Sequence, residues 1–417
     1  MRGLARPFIA GFALALSAPV VAKDAEEATS VAAWRAVDAE TGKIGDVEGL
    51  EQLARDFPDS GSVRLRMLQP LIDAGEIDKV LETLEWLYDR GYVFSDVAQT
   101  QIEKLVGSVA PGRVAERLRA EAEVIAASEV IDFVISDARL VESVLHDPID
   151  DRLIVSSVID KAVFGHKWTE TWEGYRPRNA SNISGIGLSQ PDGQVIWMAS
   201  GRIDGSDAED EFHGLIGLGR VGLQEFRIPT PDNASISDIT VADDGRIYAS
   251  DPLGGGVYRA SPDAIEMEQL VAPGTFRSPQ GLATSADGTK LYVSDYRYGI
   301  AIVDLATRKV SRLASDLPLI LDGVDGMWRY KNELIAVQNG TSPMRIAAFE
   351  LSEDGMRVVG HRILEQSNPE WTEPLSGSID GDALIYIGNG QWDRYVDGEL
   401  AQGKEALSTQ IRRLPLD

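Results

Sequence analysis

The chain has 417 residues, 43% hydrophobic and 25% charged, the composition of a globular protein long enough for two folded units. Its 66 acidic residues outnumber 40 basic ones, and the formal charge of −26, with no Lys/Arg run to offset it, argues against nucleic-acid binding. The absence of cysteine removes disulfides, thiolate nucleophiles and cysteine-ligated zinc from the possibilities.

Residues 1–22 read as a signal peptide. Arg2 and Arg6 form a basic start, Phe8 onward supplies a short apolar stretch, and Val20-Val21-Ala22 offers small residues for cleavage. A membrane anchor is the competing reading, but Pro7, Gly11 and Pro19 interrupt a stretch already too short to span. Cleavage would take the charge from −26 to −28 and leave a mature chain with no membrane span. Export without disulfides points to a bacterial periplasm, where the Asn-x-Ser/Thr sequons at Asn179, Asn182, Asn233 and Asn339 are chance matches.

Residues 23–127 read as a small all-α domain. Leu50, Leu53, Ala54 and Phe57 keep a helical period that Pro58 stops, and further helices are expected over 63–74, 77–88, from a cap at Ser95 or Asp96 to Gly107, and 113–127. The segments GLEQLARDFP and VLETLEWLYDRGY recur about 31 residues apart, which weakly resembles a tetratricopeptide-type helical repeat. A small bundle packed on the next domain explains the same pattern.

From residue 128 to 417 the punctuation changes to hairpins and alternating strands. SPQGLATSADGTKLYVSDYRYGIAIVDLAT is the best-marked unit, its Asp287-Gly288 suited to a tight turn. Six copies align on Leu153, Ile196, Ile247, Leu291, Leu334 and Leu384, with gaps of 43, 51, 44, 43 and 50 residues. That length holds one four-stranded blade, so the expected architecture is mainly β, a six-bladed β-propeller preceded by helices. A sandwich or parallel β-helix does not account for such repeats with internal hairpins. EVIDFVIS, from Glu129, is expected to complete the blade that ends in TQIRRLPL and to close the ring.

In a propeller the innermost strands begin around the central funnel. Their first positions here are Glu142, Ser184 near Asn182, Ser237-Asp238, Gln280, Asp325 and Ser378-Asp380. This oxygen-rich set without histidine suits a hard divalent cation such as Ca²⁺, Mg²⁺ or Mn²⁺.

The motifs LVESV, SPQGLA, VDGMW and PLSGSIDGDALIYIGNGQW resemble the regucalcin/gluconolactonase (senescence marker protein-like) family over about residues 130–417. The resemblance implies a lactone hydrolase whose divalent metal is held at Glu142, Gln280 and Asp325, with Asp325 also the catalytic base. It further implies substrate binding at Ser237, followed here by Asp238. Gln280 stands where the family has Asn and keeps the amide oxygen on a side chain one carbon longer. Ser237 replaces a family Asn and loses a carboxamide, and the family's substrate arginine has no clear counterpart.

The expected function is thus an exported, divalent-metal-dependent lactonase or esterase acting on a small lactone or sugar derivative. The alternatives are a non-catalytic scaffold whose helices bind a protein partner, and a ligand-binding protein without turnover. His146, just past Glu142, is the histidine best placed to assist, although all four histidines read first as structural. Trp168, Trp172 and Tyr175 could wall the funnel or pack against a neighbouring blade.

Overall fold

The computed structural model describes residues 32–106, 112–118, 120–135, 137–166, 171–204 and 210–417. The signal-peptide reading and Trp168 therefore lie outside the described residues. No helix among the described residues is long and apolar enough to cross a membrane.

Six sheets make the propeller, antiparallel throughout except where the short strand Ala314–Ser315 joins the fifth in parallel. Their innermost strands are Val141–Asp147, Asn182–Leu188, Ile239–Val241, Pro279–Thr284, Met327–Tyr330 and Gly377–Asp380. Each of the six aligned apolar residues opens, or sits second in, the next strand outward, and none is more than 3% exposed. These side chains fill the space between blades, which is why the repeat was visible as apolar periodicity. At the expected turn Gly288 has φ of 65°, while the Asp287 carboxylate accepts from Ser285 Oγ and the Thr289 amide. Those bonds hold the Asp287 carboxyl down at about 2.

The ring closes as expected. Glu129–Val134 pairs antiparallel with Thr409–Pro415, so the last blade combines the start and the end of the β region. Val134 and Ile411 are fully buried in the shared core. A polar clasp sits at the start of the closing strand. Arg412 Nε donates to Ser128 Oγ (2.8 Å), and Ser128 Oγ donates to Glu365 (2.8 Å). The buried Glu365 carboxylate also accepts from Tyr386 Oη and Asn368 Nδ2.

The helices α1 (Val47–Asp56), α2 (Gly61–Asp73), α3 (Ile77–Asp89) and α4 (Asp96–Val106) match the apolar periods, with Asp46 and Ser60 as N-caps of the first two. The fifth, α5 (Gly112–Arg117), is much shorter than expected. Beyond it the chain is extended because Ile125 exchanges two backbone hydrogen bonds with Gln366, leading into the closing strand. The helices bury Leu50, Leu53, Val63, Leu84 and Leu87 in one core with Tyr248, Leu291, Val293 and Tyr298 of the third and fourth blades.

Asp322, between the fourth and fifth blades, fixes that docking. Its carboxylate accepts from Ser60 Oγ (2.9 Å) and from the Gly61 (2.9 Å) and Ser62 (2.8 Å) amides at the start of α2. Charge and helix dipole are well matched there. Asp59 adds an ion pair to Arg312 at 2.8 Å.

The clasp yields a prediction. Arg412→Ala removes charge-assisted bonds to Ser128 at a buried site and should lower unfolding stability by about 2–4 kcal/mol in urea titration. A change below about 0.5 kcal/mol would mean the clasp is not what secures the ring.

Candidate functional site

Local backbone geometry turns the first residues of the inner strands toward the axis. In the first, second and fourth blades the ladder slips between Val141 and Val144, Ile183 and Ile186, and Pro279 and Leu282. Glu142, Ser184 and Gln280 therefore sit in bulges, which re-aim a side chain at the end of a strand. In the third and fifth blades the ladder begins just after Asp238 and Asp325. Adjacent blades touch here through backbone. The Gly185 amide donates to Ser237 O and the Gly281 amide to Asp325 O, both at 2.8 Å. A Cβ on Gly281 would lie 2.5 Å from the Met327 nitrogen, so only glycine allows this approach.

One cavity of about 390 Å³ is lined by Glu142, Ser237, Gln280 and Asp325, together with Tyr296, Asn339, Glu373 and Trp392. Asp238 adjoins it closely enough to act on Glu142 and Asp325 electrostatically. The residues expected from four separate blades thus meet at one place. Ser184 is turned away, its Oγ donating to Ser237 O. Asp380 instead faces His146 Nδ1 at 3.1 Å, and His146 Nε2 faces Asp151, so this histidine serves the far end of its strand. Trp172 does not wall the funnel: it stacks on His166 and donates to Phe133 O, while Tyr175 donates to Glu225. Asn182 is 1% exposed, and the Asn339 carboxamide is engaged in the cavity, so neither sequon offers a free side chain.

Each central carboxylate is held on one side by a neutral donor. Trp392 Nε1 donates to Glu142 Oε2 at 2.6 Å. Asn339 Nδ2 donates to Asp325 Oδ2 at 3.2 Å, and Tyr296 Oη donates to Asn339 Oδ1 at 2.8 Å. Gln280 Nε2 donates to Ser278 Oγ, which leaves its amide oxygen available. Sequence reasoning missed Asn339, Tyr296, Glu373 and the part played by Trp392; only the GNGQW motif marked the last of these.

Burial and mutual repulsion disfavour ionisation of the funnel carboxyls. Burial first, then the Asp325 and Asp238 charges, push the Glu142 carboxyl well above its usual range, against the opposing Trp392 bond. Burial and then Asp238 and Glu373 do the same to Asp325. Burial raises Asp238 to about 7, and burial followed by Asp393 raises Glu373. Among the described residues no lysine or arginine forms an ion pair with any of the four. Nor do any three Asp, Glu or His side chains by themselves form a metal-binding group among those residues. A cation at Glu142 and Asp325 would thus draw on the Gln280 amide oxygen, and that mixed carboxylate–amide donor set has the hard-oxygen chemistry such ions take.

No protein-family model and no curated protein matches the chain. Solved structures of similar path include the PQQ-bound aldose sugar dehydrogenase of Streptomyces coelicolor, at 14% identity over 70% of this chain and 99% of that one, TM-score 0.47. A gluconolactonase of Xanthomonas campestris is 17% identical over 70% of this chain and 96% of its own, TM-score 0.46. Virginiamycin B lyase of Staphylococcus aureus is 11% identical over 70% and 99%, TM-score 0.47. The likeness is one of architecture.

The raised carboxyls give a pH prediction for chelator-treated protein. Unfolded, Asp238 titrates near 4; folded, at about 7, so between those values the native state holds a proton that the unfolded chain has released. Its contribution to stability therefore falls as pH rises through that window. Urea unfolding at pH 5 and pH 8 should show a smaller pH-dependent loss in Asp238→Asn than in wild type. An equal or larger loss in the variant would contradict this charge balance.

Proposed function

We propose that the chain is an exported hydrolase of lactones or related esters that uses a divalent cation held in the propeller funnel. The observation that supports this reading is the convergence of Glu142, Asp325, Asp238 and Glu373 around one cavity, with no ion-paired lysine or arginine among the described residues. The sequence resemblance to the regucalcin/gluconolactonase family points to the same positions, with Glu142, Gln280 and Asp325 as the ligands. A bound divalent cation would supply Lewis-acid polarisation of the substrate carbonyl and positive charge for the oxyanion.

The chain's own groups divide the remaining work. Asn339 restrains Asp325 Oδ2, leaving Oδ1 to take a proton from water. The water oxygen adds to the lactone carbonyl carbon. The ring C–O bond then breaks, and the proton on Asp325 passes to the departing alkoxide, giving a hydroxy acid. Trp392 fixes Glu142 in its rotamer. Ser237, which lines the cavity, and the adjoining Asp238, whose carboxyl burial pushes up, are the groups placed to meet a substrate hydroxyl. The alternative of a non-catalytic scaffold draws no specific support from the helices, whose main apolar faces are already buried on the chain's own blades.

The test is hydrolysis of a panel of aldonolactones by metal-stripped protein supplied with Ca²⁺, Mg²⁺ or Mn²⁺. Cation-dependent turnover is expected, with kcat reduced at least about 10²-fold in Asp325→Asn. Absence of turnover with all three cations would overturn the reading.

A further inference from the structure

The wall between the helices and the fourth blade has the opposite character. A cleft of about 560 Å³ is lined by Lys43, Arg66, Arg277 and Arg297, in a protein of charge −26. These cations are scattered in sequence over more than 250 positions, so no basic run announced them.

Two of the four are already occupied. Arg66 donates to Tyr298 Oη (3.1 Å) and to the carbonyls of Thr41, Gly42 and Ile44, and Lys43 pairs with Glu40. Arg277 and Arg297 are different. Both are exposed, and among the described residues neither guanidinium has a hydrogen bond or an ion pair. Arg297 lies over the Tyr296 ring, 5.5 Å from its centroid. Arg277 lies against Gly42, where a Cβ would come within 3.3 Å of its Nε.

Their backbones are clamped together. The buried Asp295 carboxylate accepts from the Arg277 amide (2.6 Å) and the Arg297 amide (3.0 Å). One carboxylate thus ties the two arginine-bearing loops to each other. Both arginines also line the acid funnel, so they stand where the cleft and the funnel adjoin.

We propose that Arg277 and Arg297 bind an oxyanion substituent of the substrate, a carboxylate or a phosphate, while the reactive carbonyl enters the funnel. Substrate class follows from this, resting on the hydrolase reading: the site takes an acidic sugar lactone in preference to a neutral one. Guanidinium groups suit such an anion because their planar N–H forks match carboxylate and phosphate oxygens. The net acidity of the protein repels anions in general, whereas this wall presents two guanidinium groups without a hydrogen bond or ion pair among the described residues.

Two measurements test the proposal on the full-length chain. Calorimetric titration with D-gluconate, D-glucitol 6-phosphate and neutral D-glucitol separates carboxylate, phosphate and uncharged arms. At least one anionic probe should bind about 10-fold or more tightly than D-glucitol, and Arg277→Gln with Arg297→Gln together should abolish that preference. Arg277→Lys with Arg297→Lys, which keeps both charges, should retain part of it and controls for misfolding. Equal affinity for charged and neutral probes, or a preference that survives the double Gln variant, would overturn the proposal. The second measurement is the ratio of kcat/KM for D-glucaro-1,4-lactone or 6-phospho-D-glucono-1,5-lactone to that for D-glucono-1,5-lactone. The larger of the two ratios should fall about 10-fold or more in the double Gln variant. A binding preference without turnover of any lactone would sink the hydrolase reading alone, and turnover without any preference would sink this one alone.

Discussion

Pairing of Glu129–Val134 with Thr409–Pro415 is the constraint on which the rest of the molecule depends. An open row of six blades would leave two exposed sheet edges and no axis. Closed, it sets the inner strands around one funnel and brings together residues as far apart in sequence as Glu142 and Trp392, bonded at 2.6 Å. The Ser128–Glu365–Arg412 clasp lies at the start of that closing strand, and Ile125 guides the incoming chain along the fifth blade.

Closure has an electrostatic consequence. It gathers Glu142, Asp325, Asp238 and Glu373 into a buried space, where each disfavours the ionisation of another. Folding alone gains nothing from such an arrangement. Among the described residues no lysine or arginine is ion-paired with these four, and the cation proposed above would relieve the repulsion that the backbone enforces. The same ring holds Arg277 and Arg297 beside the funnel through Asp295, so groups of opposite polarity line it.

Much of the fold was legible in the residues, for reasons that can be named. Leu153, Ile196, Ile247, Leu291, Leu334 and Leu384 must fill equivalent inter-blade spaces, so they recur with blade length. Glu142, Gln280 and Asp325 could be placed because each stands at the entry of an inner strand, 11, 11 and 9 residues before Leu153, Leu291 and Leu334. Asn339 and Glu373 could not, since they come from loops whose lengths differ between blades. The basic cleft was invisible because it unites a segment before α1, a helix and three blade loops. The fifth helix was overdrawn because a helical apolar period at 113–127 is outweighed by strand-like pairing of Ile125 with Gln366.

The central claim is that the funnel carboxylates and the Gln280 amide hold a divalent cation. Anomalous diffraction from crystals equilibrated with Mn²⁺ addresses it without reference to turnover. The account predicts one strong peak within roughly 2.0–2.6 Å of oxygens from Glu142, Gln280 and Asp325, lost in Asp325→Ala. No peak in the funnel at millimolar Mn²⁺, or one held by other residues, would contradict it.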